Sequence, residues 1–327
     1  MKNVRLPGEI GDGQDAERAR LARELTREMI CWFDDDSPKV EPGTWKWLIG
    51  RYLADEISPF HEVKSVTQDS YRSRLASWEE AIGQGFIADV DFAELKRWQK
   101  AMKDNGRSQH YIKAQFTMLR ILVGYGKALN VSGCAAIKDV LSEMRIKGPK
   151  PRTVAPTSQQ VEAVIQKADD AGDAMFALGV SLQWWLSLRG VDVIGQWLRL
   201  GKDDPRDSGI IRGNFRWADG LTWAMIDRDV SEVRKTPSKT EDDLPDELVF
   251  NLTPLPQLRS RLLSIPRESR VGPVIVNPNT GLPFDRYRWR DKWCEYRDAA
   301  GVPSHIWVRD TRAAAITHAR NAGATPM

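Results

Sequence analysis

The chain has 327 residues, 41% of them hydrophobic and 28% charged, with 13 tryptophans and a formal net charge of +3. This composition excludes a disordered chain, provides for a large core, and at this length predicts two domains. A membrane helix is excluded as well, because the longest apolar run, Phe176 to Leu188, is interrupted by Ser181, Gln183 and Ser187 and is shorter than the roughly 18 residues such a span needs. The polar N-terminus has no signal-peptide core, and Cys31, Cys134 and Cys294 are odd in number and far apart, so a reducing cytoplasmic setting without disulfides is expected.

In chain order, residues 1–43 form an N-terminal arm or leader of net charge −3, with a charged helix expected from Asp15 to Phe33 and a loop at DDDSPKVEPG. Residues 44–147 follow a helical period: Trp47, Leu48, Tyr52 and Leu53 share a face, as do Tyr71, Leu75, Trp78 and Ile82. A long helix from Ser108 to about Leu129 carries an apolar stripe of Ile112, Phe116, Leu119 and Val123. Residues 44–148 have net charge +4 and read as a helical domain. Three prolines in Gly148 to Pro156 mark 148–156 as a linker.

The second domain, 157–327, opens with a capping box, Thr157-Ser-Gln-Gln160, followed by an apolar helix from Asp173 to Leu188. Gly201 to Gly220 reads as turn-rich, and LTWAMI, LVFNL and GPVIV read as strands of a small antiparallel sheet. A last helix runs from Asp310 to Ala322 and stops at Gly323. The expected fold is mainly α with a small antiparallel β-sheet: a helical domain followed by an α+β domain.

Common catalytic motifs do not account for the chain. GQGFIA at Gly83 follows a helix rather than a strand, which removes the context of a dinucleotide site. There is no GxxxxGK, GxSxG or HExxH, and His61, His110, His305 and His318 lack metal-ligand spacing, so no metal or other cofactor is expected. What remains is three separated segments: LSLRGVDVIGQW with Arg189 and Asp192, VRKTPSKTEDD with Lys235 and Lys239, and WVRDTRAAAITHARNAG with Arg309 and Arg312 one turn apart.

In order and character these segments resemble the tyrosine recombinases of the phage-integrase family, most specifically through LxLRxxD, the RDxRAAAxTHAxxAG segment, and the TGLPF turn at Thr280 to Phe284 before it. The resemblance covers most of the chain. It implies that 44–147 is a core-binding domain clamping DNA and that 157–327 is the catalytic domain. It implies Arg189 and Arg312 as the two catalytic arginines, Asp192 as a supporting acid, Lys239 in preference to Lys235 as the active-site lysine, and Arg309 where many members have histidine. It further implies site-specific DNA recombination or integration, double-stranded DNA as partner, and a homotetramer on DNA.

Those residue types suit phosphodiester transfer, in which paired guanidiniums meet the charge that builds on the phosphate oxygens. A lysine whose pKa is lowered by burial beside cations can protonate the departing 5′ oxygen, and a tyrosine can conserve the bond energy as a phosphotyrosine link. The nucleophilic tyrosine is expected after the second arginine. Tyr287 and Tyr296 both precede Arg312 and neither has its context, so this chain is expected to contain no nucleophile, as a C-terminally truncated recombinase, and not to cleave DNA alone. A non-catalytic DNA-binding protein derived from an integrase is the alternative.

Plainer roles are open to several of these residues. Arg189 can pair with Asp192, and Arg309 and Arg312 can belong to a solvated face. Trp184 and Trp185 read as core, Cys134 and Cys294 as packing residues, and His318 as peripheral. Arg72, Arg74, Lys96, Arg97, Lys100 and Lys103 of the first domain are candidates for phosphate contacts only.

Overall fold

The computed structural model describes residues 18–26, 40–201, 204–239 and 247–323, and its contacts divide the chain into two compact units at Lys150/Pro151. Residues 18–26 are helical (α1); the rest of the helix expected from Asp15 to Phe33, most of the DDDSPKVEPG loop and Cys31 lie outside the described residues. Among the described residues, no helix is long and apolar enough to cross a membrane, and Cys134 and Cys294 are free thiols.

The first unit is helical throughout: α2 (Trp45–Ala54), α3 (Ser65–Ile82), α4 (Phe92–Asp104), α5 (Gln109–Ala128) and α6 (Cys134–Glu143). Side-chain caps set the starts of α2, α4 and α5, where Thr44, Asp91 and Ser108 accept hydrogen bonds from the backbone N–H groups of Trp47, Glu94 and Tyr111. The faces predicted from the apolar period meet in one core that includes Leu48, Tyr52, Leu75, Trp78, Phe116 and Leu119. Trp78 packs edge-on against Phe116 and donates its indole N–H to the Gln115 carbonyl at 3.2 Å.

The second unit begins with α7 (Ser158–Asp170), whose predicted capping box is present. Next comes α8 (Ala174–Trp185), capped by Asp173. The run Phe176–Trp184 of α8 is buried without a break, which makes it the central helix of the unit, packed by α7, α10 (Pro256–Leu263) and α12 (Asp310–Asn321). Trp185 departs from the core expectation: at the C-terminal end of α8 it is 39% exposed, whereas Trp184 is buried. Beyond α8 lie the short α9 (Gly190–Ile194) and two antiparallel sheets. One has the order β1-β3-β2, from β1 (Gln196–Arg199), β2 (Ile211–Arg212) and β3 (Phe215–Ala218); the other pairs β4 (Glu232–Lys235) with β5 (Leu248–Asn251). After α10, α11 (Arg286–Ala299) precedes α12.

The fold class is as expected, but of the three segments read as strands only one is a strand, and the β-structure forms two small sheets. LVFN is β5, whereas LTWAMI is a 3-10 turn at Trp223–Met225 that buries Trp223, and GPVIV makes only single bridges through Pro273 and Val276. Pro273 has no N–H to give to a ladder. The stretch read as turns, 201–220, instead contains β2 and β3.

Candidate active site

Arg189 is delivered by a strained turn. After α8 the chain passes through Ser187 at φ +50°, a left-handed conformation that serine seldom adopts, and Arg189 then occupies the N-cap position of α9. One turn on, Asp192 is 1% exposed, with its Oδ2 3.8 Å from Arg189 Nη1. That distance is an ion pair but not a hydrogen bond, and both atoms are buried with no hydrogen-bond partner among the described residues. The other carboxylate oxygen, Oδ1, accepts two hydrogen bonds of 2.9 Å from the backbone N–H and hydroxyl of Ser238. Asp192 thus ties α9 to the turn after β4.

Arg312, in the first turn of α12, comes to the same place. Burial lowers its pKa, the neighbouring Arg189 charge lowers it further, and Asp192 acts in the opposite direction. Neither Arg189 nor Arg312 donates a hydrogen bond to another described residue. Two cations and one buried carboxylate therefore share a site in which the guanidinium N–H groups are not used up by the protein.

The other predicted residues are placed differently. Lys239 is exposed in the turn, next to Ser238. Lys235 ends β4 at 4% exposure and donates from Nζ to the Asp219 carbonyl at 2.7 Å. Arg309, at the N-cap of α12, is exposed with its guanidinium 4.3 Å from the Trp307 ring centroid. His318 sets its ring 5.7 Å from that of Trp184. In the first unit, Arg72 lies over Phe60 and Lys96 over Phe92, while Arg97 pairs with Glu94 and Lys100 with Asp104. Among the described residues, no group of three or more His, Cys, Asp or Glu side chains could hold a metal ion.

Two residues that sequence reasoning missed bear on the site. Ser238 is one, and no local pattern distinguishes it from any serine in a turn. Arg152 is the other: it donates from Nε and Nη2 to the two carboxylate oxygens of Asp310 at 2.7 and 2.6 Å, and also to the His305 carbonyl. Burial by itself would raise the Asp310 carboxyl, but hydrogen bonds from Arg152 and the Trp307 N–H, with the charges of Arg152 and Arg309, hold it below the usual carboxylate range. This clamp holds the first turn of α12, two residues before Arg312.

Of the two tyrosines in the second unit, Tyr296 is buried and donates its hydroxyl to Asp173 at 3.0 Å; burial and that bond raise its pKa. Tyr287 is 55% exposed on α11 and accepts a hydrogen bond from Arg286.

No protein-family profile matches the chain, and no curated protein matches it. Solved structures do. Lambda integrase bound to DNA is similar with a TM-score of 0.62 at 13% identity, over 86% of this chain and 88% of that one. A lambda integrase dimer bound to a COC′ core site gives 0.64 at 14% identity, over 93% and 81%. The Tn1549 transposon integrase in complex with circular intermediate DNA gives 0.61 at 13% identity, over 86% and 89%. The chain thus has the fold of the tyrosine recombinases.

Proposed function

We propose that this protein binds duplex DNA in the cytoplasm and belongs to the machinery of site-specific DNA recombination or integration. One observation carries the reading: Arg189 and Arg312, distant in sequence, converge on Asp192 with guanidiniums that the protein leaves unsatisfied. A phosphodiester offers the acceptors they lack. In this reading Arg189 and Arg312 hold the non-bridging oxygens of the scissile phosphate, and Asp192 orients Arg189. Arg309 adds positive charge at the rim. Lys239, on the turn fixed to Asp192 through Ser238, gives its proton to the departing 5′ oxygen as the P–O5′ bond breaks, while a tyrosine oxygen bonds to phosphorus and its phenolic proton passes to solvent.

We further propose that none of the six tyrosines of this sequence is the nucleophile. Tyr296 is spent on Asp173, and Tyr287 precedes the second arginine and lies on α11. In this reading these 327 residues engage DNA without cutting it by themselves, and an assembly with a tyrosine supplied in addition, a tetramer on DNA, would exchange strands. One of the similar lambda integrase structures is a tetramer bound to a Holliday junction. A non-catalytic DNA-binding protein is the second reading, favoured by the same placement of Tyr287 and Tyr296.

The test is incubation with labelled duplex DNA over a range of salt. Salt-dependent binding without a covalent adduct is expected. An adduct formed by this chain would overturn the nucleophile assignment, and failure to bind duplex at low salt would overturn the whole reading. Strand exchange on supplying a tyrosine-bearing partner, lost in Arg189→Ala, separates the recombinase from the binding protein.

A further inference from the structure

The three-stranded sheet β1-β3-β2 stands apart from the core of the second unit. Trp197, Leu198, Ile211, Phe215 and Trp217 are absent both from the buried core cluster and from the partly buried residues packed against it. Its register sorts the side chains. Trp197 is opposite Trp217, Arg199 opposite Phe215, and Arg212 opposite Phe215 on the far strand, so these five share one face. The Arg212 guanidinium lies 4.5 Å from the Trp197 ring centroid, and Arg199, Arg212 and Phe215 are exposed. Aromatic rings interleaved with arginines on a β-surface suit the sugar-phosphate backbone of a nucleic acid, through charge and through stacking of guanidinium on ring.

The sheet is also fixed to the candidate site. Trp217 donates its indole N–H to the Ile194 carbonyl at 2.9 Å. A Cβ at Gly195, where φ is +74°, would stand 2.1 Å from Trp217 Nε1, and one at Gly220 would stand 2.2 Å from Trp217 Cζ2. The indole therefore seats on two glycines, Gly195 directly after the helix that carries Asp192 and Gly220 where the chain leaves β3. At the same root, Asp219 receives Lys235 on its carbonyl and the Gln196 amide on its carboxylate.

We infer that this arginine and aromatic face is a DNA-contacting arm that lies on the backbone of the duplex beside the phosphate held by Arg189 and Arg312. The inference rests on the proposed function, because continuity with that site and the arginine charges are what single out DNA as the occupant.

The experiment compares the full chain with Arg199→Ala/Arg212→Ala, and with a control pair away from the face, Arg228→Ala/Arg267→Ala, in binding a 30-base-pair duplex at several salt concentrations. Each phosphate contact contributes about 0.9 to the slope of log affinity against log salt, so the first pair is expected to lower that slope by about two, with an unchanged melting temperature, and the control pair to leave it in place. Phe215→Ala is expected to weaken binding without changing the slope. An unchanged slope in Arg199→Ala/Arg212→Ala, or an equal fall in the control pair, would overturn the arm while leaving the proposed function standing. Failure of the unmodified chain to bind duplex would remove both.

Discussion

Helix α12 begins with two arginine arrangements of opposite character. At Asp310, Arg152 is fully engaged: two charge-assisted hydrogen bonds to one carboxylate, another to a carbonyl, and its guanidinium 5.2 Å from the Trp307 ring centroid. Two residues later, Arg312 shares a half-buried position with Arg189 and finds no hydrogen-bond partner among the described residues. The first arrangement stabilises the helix start. The second leaves like charges together with their donors free, which disfavours folding. Side chains of one type are thus divided between holding the candidate site and forming it.

That contrast can be broken by substitution. The largest effect is expected for Arg312→Met: strand transfer in a tyrosine-complemented assembly should fall by about 100-fold or more, the scale for losing a preorganised charge donor, while thermal unfolding shows a melting temperature equal to or above that of the unmodified chain. A marked drop in melting temperature would show that Arg312 serves the fold instead.

Gly195→Ala should cost about 3 kcal/mol, from the left-handed backbone and the collision with Trp217. Limited proteolysis should then open residues 196–219 before the core.

Asp310→Asn should cost about 2 kcal/mol through its charged hydrogen bonds, and the loss should depend on pH. Because the folded-state pKa of Asp310 is lowered, its contribution is present above the unfolded carboxylate value near 4 and fades as pH falls through and below it. The melting-temperature gap between Asp310→Asn and the unmodified chain should therefore be full at pH 7 and narrow below about pH 4; a gap constant down to pH 3 would contradict the charge argument. Ser238→Ala should be mildest, about 1 kcal/mol, because the backbone N–H still reaches Asp192.

The helices were legible because their information is local. Ser108, Thr157 and Asp173 mark starts, and apolar residues repeat with the helical turn. The small sheet was not. Its strands have two to four residues and a surface of arginine and tryptophan, whereas LTWAMI looked like a strand because Trp223 and its neighbours are apolar for the core's sake.

For the candidate site, the sequence marked Arg189, Asp192 and Arg312, and the fold brings these three together. Ser238 and Arg152 were invisible because each acts on a partner far along the chain, 46 residues away for Asp192 and 158 for Asp310. The buried lysine, Lys235, and the exposed one, Lys239, could not be told apart by burial from a sequence in which both precede threonine.

The chain leaves for the three-stranded sheet at Gly195 and returns at Gly220, and these two points meet: a Cβ at Gly220 would lie 2.7 Å from Gly195 N, and Leu221 N–H donates to the Val193 carbonyl at 3.1 Å. A segment whose ends already touch can be exchanged, shortened or lengthened at little loop-closure cost. The sheet is in that sense a cartridge, and a different cartridge at the same two glycines would change the surface offered beside the arginine pair while leaving Arg189, Asp192 and Arg312 where they are.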